Sequence, residues 1–135
     1  MVNFTDIDYA TADINIGNLN WKVTLTDNYC SKLYDPDDNV KKIKLSDVAM
    51  GRCWKTLCHI YVTKDMAEGN LRRTIMHEIT HAVIYTYAMM VSSDAMDEEE
   101  ICNFMEIHCD KIRDLTEQAY KVIHPKFVEL MNENS

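Results

Sequence analysis

The sequence has little glycine and proline and lacks any long hydrophobic run. Three glycines and two prolines among 135 residues exclude collagen-like repeats and the composition of disordered linkers. The longest nearly apolar stretch, Ala82 to Val91, has about half of the roughly 20 residues that a membrane-spanning helix needs. With 47% hydrophobic and 27% charged residues, the composition predicts one ordered, soluble domain that covers residues 1–135.

The chain also lacks paired cysteine motifs, and we expect no targeting segment. Its five cysteines include no CxxC pair, so we expect reduced thiols in a cytoplasmic protein and no disulfide scaffold. The spacings of Cys53 with Cys58 and of Cys102 with Cys109 are too wide for a structural zinc site, which predicts small buried hydrophobes. The segment from Met1 to Asp13 resembles neither a secretory signal nor a mitochondrial presequence.

Basic residues are fewer than acidic ones. The formal net charge of −8 argues against direct binding of nucleic acid and against binding to an anionic membrane. The best basic cluster, Lys41, Lys42 and Lys44, is too short to overcome this charge. Residues 94–135 hold 11 acidic and 4 basic residues, so the last third of the chain is predicted to carry a solvated acidic surface.

Before residue 64 the hydrophobic pattern is that of β-strands. Trp21 to Thr26 alternates between polar and apolar residues, several of them β-branched. A turn at Asp35 to Asn39 precedes a second alternating segment, Val40 to Leu45. Cys53 to Thr63 is the third predicted strand, and the pattern therefore predicts a small twisted sheet of three strands.

From Leu71 onward the hydrophobic period becomes helical. A first helix is predicted with Asn70 as its N-cap, and a second helix after Ser92-Ser93-Asp94. Pro125 is predicted to end the second helix, leaving a short helical tail, because proline has no backbone N–H to donate. The apolar stripes are Leu71, Ile75, Ile79, Ala82, Val83, Thr86 and Met90 in the first helix, and Ile101, Phe104, Met105, Ile112, Leu115 and Ala119 in the second.

The first predicted helix contains the HExxH pattern at residues 77–81. His77 and His81 are one helical turn apart, so both imidazoles project from one face and reach one metal ion at about 2.0 to 2.1 Å. Glu78 lies about 100° around the helix from His77, where its carboxylate can accept a proton without being a ligand. The pattern therefore predicts a Zn²⁺ site with Glu78 as general base, and the alternative is a solvated helix face with two histidines.

The segment Thr74-Ile-Met-His-Glu-Ile-Thr-His-Ala82, followed by Glu99-Glu-Ile-Cys-Asn-Phe104, resembles the ImmA/IrrE family of small gluzincin-type metallopeptidases. The resemblance is strongest to short members from phages and mobile elements, and it covers residues 50–110. It implies an α+β fold in which a three-stranded sheet packs on an active-site helix and a glutamate helix. It also implies that Cys53 to Thr63 is an edge strand beside the cleft, able to pair with an extended substrate.

The resemblance further implies that zinc is held by two histidines and one glutamate of the second helix. Glu100 takes that position if Phe104 matches the aromatic residue of the family, whereas Glu99 faces away on a helical wheel. The family pattern Glu-Ala-Asn-x-Phe-Ala is Glu-Ile-Cys-Asn-Phe-Met here, so the register is not unique. The alternatives to Glu100 are Asp97, Glu98 and His108.

These residues predict zinc-dependent hydrolysis of a protein or peptide. Two histidines and one carboxylate leave an open position on Zn²⁺ at which water is activated, and Glu78 would pass its proton to the leaving amine. The resemblance implies a regulatory protein, such as a transcriptional repressor, as the substrate. The alternatives are a catalytically silent zinc-containing regulatory protein and an interaction module with an acidic docking surface. Tyr85 is a candidate for stabilising an oxyanion, or else a packing residue.

Overall fold

The computed structural model describes residues 3–34, 50–88 and 98–133 of the chain. In these ranges the protein is α+β, with strands β1 (Asp8–Ile16), β2 (Leu19–Thr26), β3 (Gly51–Trp54) and β4 (His59–Thr63) and helices α1 (Glu68–Ala88) and α2 (Glu98–Glu133). The strand order across the sheet is β1-β2-β4-β3. β2 and β4 are parallel, whereas β1 with β2 and β3 with β4 are antiparallel, so the sheet is mixed.

The predicted number of three strands was wrong, since the described residues form four. The additional strand, β1, alternates in burial: Ala12, Ile14 and Ile16 are buried, while the residues between them are exposed. Gly17, with φ of 61°, follows directly and begins the tight turn into β2. This strand was not predicted because aspartates and an asparagine occupy its solvent-exposed face.

The predicted strand from Cys53 to Thr63 is also corrected, because this segment is a hairpin. β3 ends at Trp54, a short 3-10 helix follows at Lys55–Leu57, and the chain turns through Cys58 into β4. Cys58 has a φ of 50°, in the left-handed region, which reverses the chain direction without a glycine. Of this hairpin, only β3 (Gly51–Trp54) lies at an edge of the described sheet, because β4 pairs with both β2 and β3.

The core lies between one face of the sheet and the two helices. Trp21, Val23 and Leu25 of β2 are fully buried, as predicted for an alternating strand. α1 packs over β3 and β4, and α2 packs mainly over β1. The predicted first helix is confirmed, although it begins at Glu68, before the predicted cap. Its buried apolar residues are Leu71, Ile75, Ile79, Ala82 and Val83.

The second helix does not end at Pro125, contrary to the prediction. α2 runs without interruption to Glu133, and the exposed Pro125 lies on its solvent side. Ile123 and Phe127 on either side are fully buried, so packing against the core holds the helical backbone despite the lost hydrogen bond. The carbonyl left without a donor belongs to the exposed Lys121, where water can reach it.

The predicted apolar stripe of α2 is buried only in its second half. Ile112, Leu115 and Ala119 are in the core, whereas Ile101 and Met105 are 49% and 42% exposed. Cys102 and Cys109 are exposed as well, so the prediction that they are buried hydrophobes was wrong. All five cysteines are free, as expected for reduced thiols.

Side-chain contacts show that α1 and α2 are antiparallel. Near the start of α1, Glu68 lies 2.7 Å from His124 and Arg72 lies 3.0 Å from Glu117. Near its end, the ring of Tyr87 stacks on His108 at 4.7 Å between centroids. The first turns of α2, which precede His108, therefore extend past the end of α1.

Several predicted features lie outside the described residues. These are the turn at residues 35–39, the strand at 40–45, the basic cluster that follows the turn, the start of the second helix after residue 94, and Asp97. Within the described ranges, neither helix is long and apolar enough to cross a membrane.

The continuous path of α2 leads to a prediction for Pro125. Replacing Pro125 with Ala restores a backbone donor in the middle of an intact helix, and the side chain faces solvent. We expect the free energy of unfolding, measured by urea titration, to rise by about 1 to 3 kcal/mol. A Lys121→Ala variant, one turn away, is the control and should change it little. An unchanged or reduced stability of Pro125→Ala would contradict the uninterrupted helix.

Candidate metal centre

The imidazoles of His77 and His81 face each other on the exposed side of α1. Their Nε2 atoms are 3.2 Å apart, and their rings are inclined by 79°. Two nitrogen ligands on one tetrahedral zinc ion would be about 3.4 Å apart. The pair therefore fits a shared cation, and in its absence one ring can donate its N–H to the other.

The surroundings of His81 favour its neutral form. Burial is the first cause that lowers its pKa, followed by the charges of His77 and Lys55. A neutral imidazole is the form that binds a metal ion, because the protonated ring has no free lone pair. The site thus reduces the competition between protons and a metal for this nitrogen.

Glu78 lies on the inner side of the same helix turn and is only 7% exposed. Burial raises the pKa of its carboxyl group, and the nearby His77 opposes this effect. Within the described part of the chain, Glu78 makes no hydrogen bond and no ion pair. A desolvated carboxylate without a partner is suited to accept and return a proton.

Gly51, the first residue of β3, allows α1 to lie close to the edge strand. A Cβ atom at this position would be 2.9 Å from Cγ2 of Thr74 and 3.1 Å from Cγ of Glu78. Both distances are shorter than ordinary van der Waals contact, so any side chain would push the helix or Glu78 away. Because Gly51 has no side chain, the side chain of Glu78 can lie directly against β3.

Two adjoining cavities open between β3 and α1, with volumes of about 440 and 260 Å³. They share Gly51 and Glu78, and we call them together the β3–α1 cleft. The larger cavity is also lined by Met50, Asn70, Arg73, Thr74 and His77. The smaller one is also lined by Arg52, Cys53, Lys55 and His81. The HExxH residues therefore form one wall of a cleft whose other wall is an edge strand.

The structure does not bring Glu100 to the histidine pair. Among residues 3–34, 50–88 and 98–133, no group of three His, Cys, Asp or Glu side chains is placed to hold a metal ion. Glu100 lies eight residues before His108, about 12 Å along the axis of α2. Since His108 contacts Tyr87 near the end of α1, Glu100 lies beyond that end, and Glu98 lies farther still. Glu100 as third ligand stays a prediction.

The other candidates have structural contacts. His108 stacks on Tyr87 and lies 4.5 Å from the ring of Phe104, so its surroundings are aromatic. Tyr85 packs edge-on against Trp21, with 6.4 Å between ring centroids, and it does not line the cleft. The packing interpretation of Tyr85 fits these contacts, and a role of Tyr85 in oxyanion stabilisation has no geometric support.

Three residues of the cleft were not singled out from the sequence as functional. Arg73 lies one helical turn before His77, so extending the face of the HExxH motif backwards would have found it. Gly51 belongs to no motif, so the sequence gives no signal that it reaches the cleft. Lys55 enters the cleft through the β3–β4 hairpin, and no local pattern indicates that position.

Comparisons with protein-family models, with curated proteins and with solved structures found no match to this chain. The functional argument therefore rests on the chemistry of the cleft, and the resemblance to the ImmA/IrrE family stays a prediction.

The contact at Gly51 gives the prediction for this site. Gly51→Ala should lower the free energy of unfolding by about 1 to 3 kcal/mol because the added methyl group overlaps Thr74 and Glu78. The paired variant Gly51→Ala with Thr74→Ser removes the closest atom, Cγ2, and should recover part of the loss. Urea titration measures both. If Gly51→Ala is as stable as the wild type, the contact between α1 and β3 is looser than described.

Proposed function

We propose that this protein is a zinc-dependent peptidase in which His77 and His81 bind the metal and Glu78 is the general base. The observation that carries the proposal is the pair of Nε2 atoms 3.2 Å apart, beside a buried carboxylate and an open strand edge. A solvated helix face with two histidines would not require a desolvated carboxylate next to them. The combination supports a reaction centre over a surface helix.

The proposed chemistry assigns a separate task to each side chain. When bound, Zn²⁺ would act as a Lewis acid that polarises a substrate carbonyl and lowers the pKa of water. His77 and His81 hold the ion through Nε2, which leaves their other ring nitrogens free to donate. The Glu78 carboxylate accepts the proton of the attacking water and delivers it to the amine of the leaving peptide. Its raised pKa suits both halves of this transfer.

The outer edge of β3 provides the proposed binding site for the substrate backbone. The Met50 carbonyl accepts a hydrogen bond from the N–H of Thr63 at 2.9 Å, so the main-chain groups of Met50 face β4. In an antiparallel ladder this direction alternates, and the groups of Gly51 and Cys53 then face away from β4. An extended peptide that pairs with them would lie along the cleft beside Glu78.

The finer expectations belong to the same proposal. We propose a gluzincin-like arrangement, with the motif helix α1 packed on a sheet beside its edge strand and α2 following. The proposed substrate is a protein or peptide, and the resemblance to the ImmA/IrrE family suggests a transcriptional repressor. The proposal includes no direct contact with nucleic acid, in line with the net charge of −8.

A second candidate function is a zinc-containing regulatory module without catalysis. One observation favours it: no third ligand accompanies the two histidines within the described ranges. Two imidazoles alone hold zinc weakly, and a reaction centre needs a complete ligand set. The two functions differ in whether the wild type hydrolyses peptides and, if it does, whether this hydrolysis requires Glu78.

We expect the purified protein to bind about one zinc ion per chain at neutral pH. The double variant His77→Ala with His81→Ala should lose this zinc, because it removes both facing nitrogens. Elemental analysis after gel filtration measures the metal content. His124→Gln removes a histidine outside the cleft and is the control that should keep the zinc. Equal zinc in the double variant and the wild type would exclude this site.

The same measurement tests the third ligand. Glu100→Ala is compared with Glu99→Ala, a neighbour on the same helix turn. A loss of zinc affinity in Glu100→Ala alone would assign Glu100 as ligand and would require α2 to approach His81. Equal affinity in the two variants would exclude Glu100.

We expect Glu78→Gln to keep its zinc and its fold but to lose hydrolysis by about two to four orders of magnitude. The amide occupies the same space as the carboxylate but cannot accept the proton. Cleavage is measured by mass spectrometry on random-sequence peptides and on repressors encoded near the gene. Glu68→Gln, on α1 but outside the cleft, is the control that should retain activity. Equal cleavage by Glu78→Gln and wild type would refute the mechanism, and no cleavage by the wild type would favour the silent module.

A further inference from the structure

The β3–α1 cleft has a cation at each end, although the net charge of the protein is −8. Arg73 lines the cavity at the Met50 end, and Lys55 lines the cavity that contains His81. Both side chains are exposed. In the part of the chain that the structure describes, neither of them makes an ion pair or a side-chain hydrogen bond.

Several other cations in the described structure are paired with carboxylates. Arg72, the chain neighbour of Arg73, lies 3.0 Å from Glu117 and stacks over the ring of Tyr120. Other such pairs are Lys22 with Asp13, Lys64 with Asp65, Arg113 with Asp110 and Lys126 with Glu129. The two cations at the ends of the cleft are thus available to an external carboxylate.

The length of the cleft fits an extended peptide. β3 and α1 run in the same direction, since Met50 lies with Arg73 at one end and Lys55 with His81 at the other. Arg73 and His81 are eight residues apart on α1, which is about 12 Å. An extended chain covers that distance in about four residues. Glu78 lies between the two ends and lines both cavities.

We propose that the cleft selects an acidic peptide segment, with one carboxylate bound by Arg73 and another by Lys55 on either side of the bond at Glu78. The proposal rests on the proposed function of the same site and names its substrate class. The planar guanidinium of Arg73 can bind a carboxylate through two hydrogen bonds, whereas Lys55 acts as a point charge.

The charge distribution of the whole chain adds specificity to this recognition. Residues 94–135, which include α2, hold 11 acidic and 4 basic residues and repel an acidic peptide. Among the described residues, we therefore expect attraction at the β3–α1 cleft and not along α2. Repulsion elsewhere reduces unproductive binding of the same substrate.

The first test measures binding separately from hydrolysis. The full chain carrying Glu78→Gln is supplied with zinc and titrated into a fluorescein-labelled extended peptide that has two glutamates about four residues apart. A second peptide has glutamine at both places. We expect the acidic peptide to bind about tenfold more tightly at low salt, which is about threefold for each exposed contact. The difference should shrink in high salt because the contacts are solvent-exposed.

Charge-reversed variants assign the two contacts. Arg73→Glu and Lys55→Glu, each made in the Glu78→Gln chain, should each weaken the acidic peptide at least threefold and leave the glutamine peptide unchanged. Both positions are exposed, so the variants should fold. Lys121→Glu, on the solvent side of α2, changes the net charge equally and is the matched control. It should leave the preference intact.

The outcomes separate this inference from the proposed function. Cleavage of random-sequence peptides by the wild type without enrichment of acidic residues near the cut bond would overturn the inference and leave the peptidase intact. Preferential binding of the acidic peptide, lost in Arg73→Glu and Lys55→Glu, supports it even if nothing is cleaved. Equal binding of both peptides, or an equal effect of Lys121→Glu, would overturn it.

Discussion

The candidate site depends on the close contact between α1 and the edge strand at Gly51, which sets the position of Glu78. Because no side chain separates the two elements, the helix lies directly against the strand and turns Glu78 inward. The helical period then places His77 and His81 on the outer side of the same turn. The contact between β3 and α1 thus places one carboxylate in a desolvated position and leaves two imidazoles at the surface.

That contact is held by the core and not by the site itself. Ile75, Ile79 and Ala82 on α1 are fully buried against the sheet, so they fix the height and rotation of the helix. The exposed side chains of the cleft contribute little to this packing, so they can bind a ligand or metal ion without loss of core contacts. The arrangement divides α1 into a structural face and a chemical face, about half a turn apart.

Some of this structure follows from local sequence patterns. The facing histidines need only a helix over residues 77–81, and the apolar stripe of α1 predicts that helix. The prediction that Pro125 ends the helix was wrong because burial of Ile123 and Phe127 in the core outweighs the local tendency of proline to break a helix.

Features that depend on distant pairing were not predictable in the same way. The hairpin within residues 53–63 forms through pairing of β3 with β4, and its turn uses Cys58 instead of a glycine signal. Lys55 and Gly51 reach the cleft only because that hairpin meets a helix about 20 residues later. The distance of Glu100 from His81 depends on the register between two helices, which neither helix encodes by itself.

The overhang of α2 beyond α1 has a consequence for how the protein opens. Before Phe104, the side chains of residues 98–103 are exposed or only partly buried, so the helical hydrogen bonds of these turns are supported mainly by local propensity. A short helical segment without tertiary packing is marginal in water. Amide hydrogens there should exchange with solvent by local fraying, whereas those around Ile123 and Phe127 should exchange only in global unfolding. One continuous helix therefore contains two segments that open at different free energies.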